Sequence, residues 1–259
     1  MHQRLEIEQA LKYALKNDGF KLKYQPQVNI KTGVAECFEA LIRLKDYNIS
    51  PGEFIPIAEE DGIIIEIGRW VTEKVIKKIA LQKENDLASK KISINFSVEQ
   101  LKDEDYINFL KTTPEKDEVN SELQEIEITE SILIEKEKEA MDFLSKLKNL
   151  GIKLSLDDFG TGYSSLKYLT YISLDKVKID KSLNNKFLQE ENIATIKSLI
   201  ELFHSMDLPV VVEGIEVKKQ YRILQENGCD YIQGYFFSKP VDDYKLREFY
   251  NYNFLEKIL

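Results

Sequence analysis

Histidine and cysteine are nearly absent from this chain: His2 and His204, Cys37 and Cys229 are the whole supply. Two histidines this far apart leave a histidine triad or a histidine-based zinc site unsupported, and His204, inside an apolar helical stretch from Ile193 to Met206, reads as structural. Two cysteines cannot build a disulfide framework and are too few for a thiolate metal centre. Any metal must therefore be held by oxygen, which points to Mg2+, Mn2+ or Ca2+. No apolar run approaches the roughly 18 residues of a membrane helix. The opening Met1-His2-Gln3-Arg4 lacks the apolar stretch of a signal peptide, so the expected location is cytoplasmic. Basic residues are outnumbered, 36 Lys and Arg against 45 Asp and Glu for a net charge of −9, which argues against polymeric nucleic acid or an anionic membrane as partner.

What is present is ordinary core material: 43% hydrophobic residues in 259, with no linker, repeat or low-complexity tract. Length and composition together predict one domain over 1–259. Short β-rich runs alternate with helical patterns. The strand candidates are Phe20–Gln27, Val34–Leu44, Lys91–Ser97, Glu125–Glu130, Lys153–Asp158, Lys176–Asp180, Pro209–Glu213 and Asp230–Gly234. Apolar residues at three- and four-residue spacing mark the helices between them, as in Val71, Val75, Ile76, Ile79 and Ala80, or Ala140, Phe143, Leu144, Leu147 and Leu150. An opening helix is expected to bury Leu5, Ala10, Leu11, Ala14 and Leu15. Gly151, Gly228 and Pro209 read as stops, and Ser97 to Gln100 as a capping box opening a helix. The charged stretch Thr112–Glu122, with Pro114, reads as a long surface loop.

Strands alternating with helices imply parallel pairing through right-handed crossovers. Eight strand candidates in this length fit an α/β fold of the TIM (β/α)8 barrel type. The turn Lys31-Thr32-Gly33 predicts a hairpin, hence one antiparallel strand near the N-terminus. Polar residues interrupt or end the strands: Glu39, Asn95, Glu127, Asp157-Asp158, Lys178, Glu213 and Gln233. In a barrel such positions converge on the carboxyl face, where barrel enzymes keep their sites. Carboxylates crowded there repel by several kcal/mol per pair at about 4 Å unless cations sit among them. Glu39, Asn95, Glu127, Asp157, Asp158 and Glu213 are hard donors suited to Mg2+ or Mn2+. Adjacent acids on a strand point to opposite faces, so Asp157 and Asp158 reach one site only where the backbone turns, as Gly160 and Gly162 permit. No Lys-Ser/Thr follows these glycines as a phosphate loop requires. Ser164 and Ser165 lack a histidine partner and read as helix caps.

These motifs, in this order, resemble the EAL-domain cyclic-di-GMP phosphodiesterases. Glu39-Ala40-Leu41-Ile42-Arg43 stands at the name-giving signature, followed by Phe54-Ile55-Pro56-Ile57-Ala58-Glu59-Glu60, Asn95-Phe96-Ser97 and Glu127-Ile128-Thr129-Glu130. Asp157-Asp158-Phe159-Gly160-Thr161-Gly162, Lys178-Ile179-Asp180, Glu213-Gly214-Ile215-Glu216 and Gln233-Gly234-Tyr235 complete the set, spread over 24–240. The resemblance implies a modified barrel with an antiparallel strand. It implies two ions, Mg2+ or Mn2+, one on Glu39, Asn95, Glu127 and Asp157, the second between Asp157, Asp158 and Glu213, with Ca2+ inhibiting. Lys178 matches the family's catalytic lysine. Glu130 matches the residue that steadies the Asp157–Gly162 loop, and Glu216 a partner near the lysine. Gln25, Arg43 and Gln233, with Glu39, match substrate-contact positions. Val212 stands where the family usually has alanine and is expected at the floor of the site.

The implied reaction is hydrolysis of cyclic di-GMP to linear pGpG. A homodimer and fused sensory or diguanylate-cyclase domains in a longer parent chain are further implications. Two other readings stay open: a receptor that binds cyclic di-GMP and signals to a partner without cleaving it, and a barrel acting on another phosphate ester.

Overall fold

The computed structural model describes residues 2–84, 89–113, 119–135, 137–161, 169–183, 188 and 192–257. Eight strands close into a barrel: β1 Phe20–Asn29, β2 Ala35–Leu44, β3 Lys91–Phe96, β4 Gln124–Thr129, β5 Lys153–Phe159, β6 Lys176–Ile179, β7 Val210–Val212 and β8 Tyr231–Ile232. From β2 to β8 they pair in chain order and in parallel. β1 closes the ring, antiparallel to β2 and to β8. The α/β barrel with one antiparallel N-terminal strand is therefore what forms. Asn29 builds the hairpin turn, its side-chain oxygen accepting the N–H groups of Lys31 and Thr32 at 2.9 and 3.1 Å. A ninth strand of two residues, β9 Val241–Asp242, pairs with Lys23 and Tyr24 of β1. Two residues are too few for alternation to reveal, and the sequence carries no expectation for it.

The helices are α1 His2–Lys16, α2 Pro51–Glu60, α3 Ile64–Glu84, α4 Tyr106–Thr112, α5 Glu130–Glu135, α6 Glu137–Asn149, α7 Ile193–His204, α8 Lys218–Glu226 and α9 Asp243–Phe249. Among the described residues, no helix is long and apolar enough to cross a membrane. One set of strand residues (Ile92, Ile94, Ile126, Ile128, Leu154, Leu156, Val177 and Ile179) is buried with the apolar helix faces in one core. Full burial of each such side chain contributes about 1.5–3 kcal/mol. Val212 belongs to this set. It lies in register with Ile179 and Ile232, whereas Val211 pairs with Lys178, so strand alternation turns Val212 away from the floor of the site.

α1 departs from expectation: it buries Ile7, Ala10, Leu11 and Ala14, while Leu5 is 52% exposed. Ile7, Ala10, Leu11 and Ala14 form the i, i+3, i+4, i+7 stripe that sets the rotation, and Arg4 on the opposite side pairs with Glu8, Glu60 and Asp61. Ser97 and Gln100 do form the capping box, but around a short 3-10 turn, Val98–Lys102. Gly151 and Gly228 take left-handed φ values of 82° and 81° just after α6 and α8, as helix stops of this kind require. Of the expected loop Thr112–Glu122, residues 114–118 lie outside the described residues, as do Ser164 and Ser165.

Candidate active site

Period-two alternation sends every second strand residue into the barrel. Around its mouth stand Gln25 on β1, Glu39 on β2, Asn95 on β3, Glu127 on β4, Asp157 on β5 and Lys178 on β6, with Glu213 just after β7 and Gln233 just after β8. Glu39 does not end its strand. β2 continues to Leu44 against β1, but its pairing with β3 stops at Ala40, so the hairpin rises past the mouth. A cleft of about 420 Å3 opens here, lined by Gln25, Glu39, Asn95, Asp157, Asp158, Glu213 and Gln233 among others. An adjoining cavity of about 760 Å3 shares Leu41 and Asn95 and is lined by Arg43, Ile55, Pro56, Phe96 and Val98.

Lys178, 1% exposed, is the hub. Its ammonium lies 2.7 Å from Glu127, 2.9 Å from Glu213, 3.1 Å from Asp157 and 3.5 Å from Glu39. Burial by itself would lower the Lys178 pKa, but Asp157, Glu127, Glu213 and Glu39 outweigh it and hold the group well above its ordinary value. Burial pushes the carboxyls of Glu127 and Asp157 upward, against the pull of Lys178. Glu213, by the same cause, is pushed up to about 8. Four carboxylates thus share one ammonium, leaving excess negative charge in a buried ring.

Glu213 is raised from 4.5 to about 8 on folding, so its contribution to stability is present below the lower value and lost as pH passes the higher one. In EDTA, the thermal midpoint is expected to fall between about pH 6 and about pH 9. A flat midpoint in a calorimetric series over that interval would contradict the charge balance described.

Asp157 and Asp158 both line the cleft because β5 is irregular between Leu156 and Phe159. Asp158 sits at φ 55°, a conformation few non-glycine residues adopt and one associated with functional sites. Gly160 takes φ 96°, as the expected turn requires, and Asp158 within the strand begins that turn two residues earlier. The Asp158 N–H donates to Asp157 Oδ1 at 2.9 Å, and the Gly160 N–H to Glu130 Oε1 at 3.4 Å. Glu130 therefore touches the loop it was expected to steady. Gly162 lies outside the described residues.

Asn95, exposed at the mouth, donates to Glu39 Oε1 at 2.7 Å. Gln233 donates to Gln25 Oε1 at 3.3 Å and to Glu39 Oε2, and Gln25 donates to the Ser238 carbonyl at 3.1 Å. Arg43, half-buried, donates to its neighbour's carbonyl at Ile42 and lines the adjoining cavity. Glu216 lines the same cleft as Asp157, Asp158 and Glu213. It pairs with Lys181 rather than Lys178, both about half exposed at the rim, because the backbone turns at Gly214 after Glu213. Lys181 carried no expectation from the sequence, since nothing local foretells which rim charges meet. His204 lies apart from this cluster, its Nε2 2.7 Å from Asp230.

Gly234 is held by close backbone approach. A Cβ there would fall 2.1 to 2.8 Å from the backbone O, N and C of Ile215. Gly234→Ala is expected to cost about 1–3 kcal/mol through overpacking and to lower the thermal midpoint. An unchanged midpoint would show that the two segments separate freely.

The donor chemistry fits divalent cations. Ligand oxygens of Glu39, Glu127 and Asp157 lie within 4.8 Å of one another, as do those of Asp157, Asp158 and Glu213. All are hard oxygens, the set Mg2+ and Mn2+ prefer. Fold and site define a closed β/α barrel with a buried carboxylate centre at its carboxyl-end mouth. The EAL domain family matches residues 8–240, and the chain belongs to that family. Signaling protein YkoW of Bacillus subtilis (strain 168) is 38% identical over 252 residues, 95% of this chain and 31% of YkoW. Cyclic di-GMP phosphodiesterase NbdA of Pseudomonas aeruginosa is 31% identical over 251 residues, 95% of this chain and 32% of NbdA. The solved PaMucR phosphodiesterase in complex with c-di-GMP superposes with a TM-score of 0.86 at 29% identity, covering 93% of this chain and 99% of that one. The chain spans about a third of the length of these curated relatives.

Proposed function

We propose that the chain hydrolyses cyclic di-GMP to linear pGpG. The observation that carries this reading is the buried ring of four carboxylates around one ammonium. Such a ring is poorly balanced alone and suited to binding cations at a phosphate. The family membership and the names of NbdA and PaMucR support the same substrate.

Glu39, Asn95, Glu127 and Asp157 would hold one divalent ion, and Asp157, Asp158 and Glu213 the other. Bound there, such ions lower the pKa of a coordinated water and offset charge on the phosphoryl oxygens. Lys178, fixed among the carboxylates, donates hydrogen bonds that orient the attacking water and meet developing charge. The water oxygen bonds to phosphorus as the bond to the 3′-oxygen breaks, leaving a 5′-phosphate and a 3′-hydroxyl. Gln25 and Gln233 present amide groups to the substrate. Arg43 and the apolar wall of the adjoining cavity suit a guanine base and its phosphate.

Incubating the purified chain with cyclic di-GMP in Mg2+ or Mn2+, with EDTA and Ca2+ controls, tests this by ion-exchange separation of products. Appearance of pGpG with Mg2+ or Mn2+ only is the expected result. Tight binding with intact substrate would replace the enzyme by a receptor. Equal turnover of a generic phosphate ester would replace the substrate.

A further inference from the structure

Two residues deeper on β1 and on β3 to β6, alternation builds a second polar layer beneath the carboxylate ring. Gln27, Ser93, Glu125, Ser155 and Lys176 occupy it, each 5% exposed or less. A charged pair so deep is a weak source of stability, because apolar residues of similar volume often serve as well. Its bonds lead upward instead. Lys176 pairs with Glu125 and donates to Gln27 Oε1 at 2.6 Å. Gln27 Nε2 in turn donates to Glu127 Oε1 at 3.2 Å, while Glu127 Oε2 accepts from Lys178 at 2.7 Å.

The polarity of this chain is forced. An ammonium only donates, so Gln27 must turn its carbonyl oxygen to Lys176, which aims its amide N–H at Glu127. An ionised carboxylate only accepts, so the second bond completes the sequence. The terminal torsion of a glutamate is otherwise broad. We propose that Gln27 and Lys176 are positioning residues for the cation centre, fixing the Glu127 carboxylate from below, with Glu125 as the counter-ion that keeps Lys176 in the barrel. The inference rests on Glu127 being a cation ligand, the reading advanced above. Partners behind a ligand typically change metal affinity or activity by about 10–100-fold.

The test is Mn2+ binding to the full chain, read from the electron paramagnetic resonance signal of free Mn2+. Three proteins are compared: the unaltered chain, Gln27→Leu, and the pair Lys176→Met with Glu125→Leu. The pair is exchanged together so that no lone charge is left in the floor. Circular dichroism confirms that each is folded. Both variants are expected to bind Mn2+ about tenfold more weakly. Combining all three substitutions should add nothing further, since one device is removed either way. On cyclic di-GMP, kcat should fall with KM unchanged. Mn2+ affinities within about twofold of the unaltered chain in both folded variants would overturn the proposal, given the 10–100-fold effect such partners exert. So would a loss in the Lys176 pair without one in Gln27→Leu. Absence of Mn2+ binding by the unaltered chain would overturn the cation reading itself, and the two failures are thereby distinguished.

Discussion

Lys178→Met is expected to abolish turnover and to destabilise the protein in EDTA. The ammonium is 1% exposed and lies 2.7 to 3.5 Å from four carboxylates. Removing one partner of a buried ionic group costs about 3–5 kcal/mol, because the remaining charges are left unpaired. At roughly 2–4 °C per kcal/mol for a chain of this size, the thermal midpoint should drop by about 6–20 °C. The drop should be larger at high pH, where the ring cannot relieve itself by taking up protons. Mg2+ or Mn2+ supplies positive charge to the same oxygens and should restore the midpoint. It should not restore turnover, because no group then donates to the attacking water. Recovery of activity together with stability would reduce Lys178 to a counter-ion, and near-normal turnover in the variant would reject the site.

Glu39→Gln should abolish turnover with a far smaller effect on the metal-free fold. The substitution removes one of the four negative charges and keeps the shape. Asn95 can still donate to the amide oxygen at the position of Oε1. Gln233 now faces an amide N–H2 instead of Oε2, but its own Oε1 is buried without a hydrogen-bond partner. A flip of the Gln233 amide supplies the acceptor but gives up its donation to Gln25 Oε1, so the relief of repulsion is partly offset. Stability in EDTA should fall far less than in Lys178→Met, because the variant relieves repulsion while it loses one of the four contacts to Lys178. Mn2+ affinity should fall, and losing about 4 kcal/mol of cation-derived stabilisation corresponds to a roughly thousandfold lower rate. A metal-free midpoint as low as that of Lys178→Met would show that the ring is not the repulsive cluster described. Retention of activity would remove Glu39 from the site.

The two variants together separate charge balance from chemistry, since one unbalances the metal-free ring and the other relieves it. Both oppositions could be anticipated only in part from the chain itself. Alternation along β3 to β6 depends on neighbouring residues, and it made Asn95, Glu127, Asp157 and Lys178 legible as one inward-facing set at strand ends. The scarcity of His and Cys restricted any metal to oxygen ligands, and the turn at Lys31–Gly33 announced the antiparallel opening. These are local properties of composition and period, which survive without knowledge of the fold.

Other features belong to register and packing, which link residues far apart in the chain. The irregular pairing at Asp158, the outward turn of Val212 and the meeting of Glu216 with Lys181 depend on how strands and loops slide against their neighbours. So does the bond from Gln27 to Glu127, across 100 positions of sequence. α1 shows the same division. Its period announced a helix, and the i, i+3, i+4, i+7 stripe Ile7, Ala10, Leu11 and Ala14, rather than the set that included Leu5, is the face that is buried. Barrel class, oxygen-ligand chemistry and the residues at the mouth are legible in the chain, because alternation and residue type are local. Which of those charges share partners emerges with the folded barrel, because pair distances are set by long-range register that no window of sequence contains.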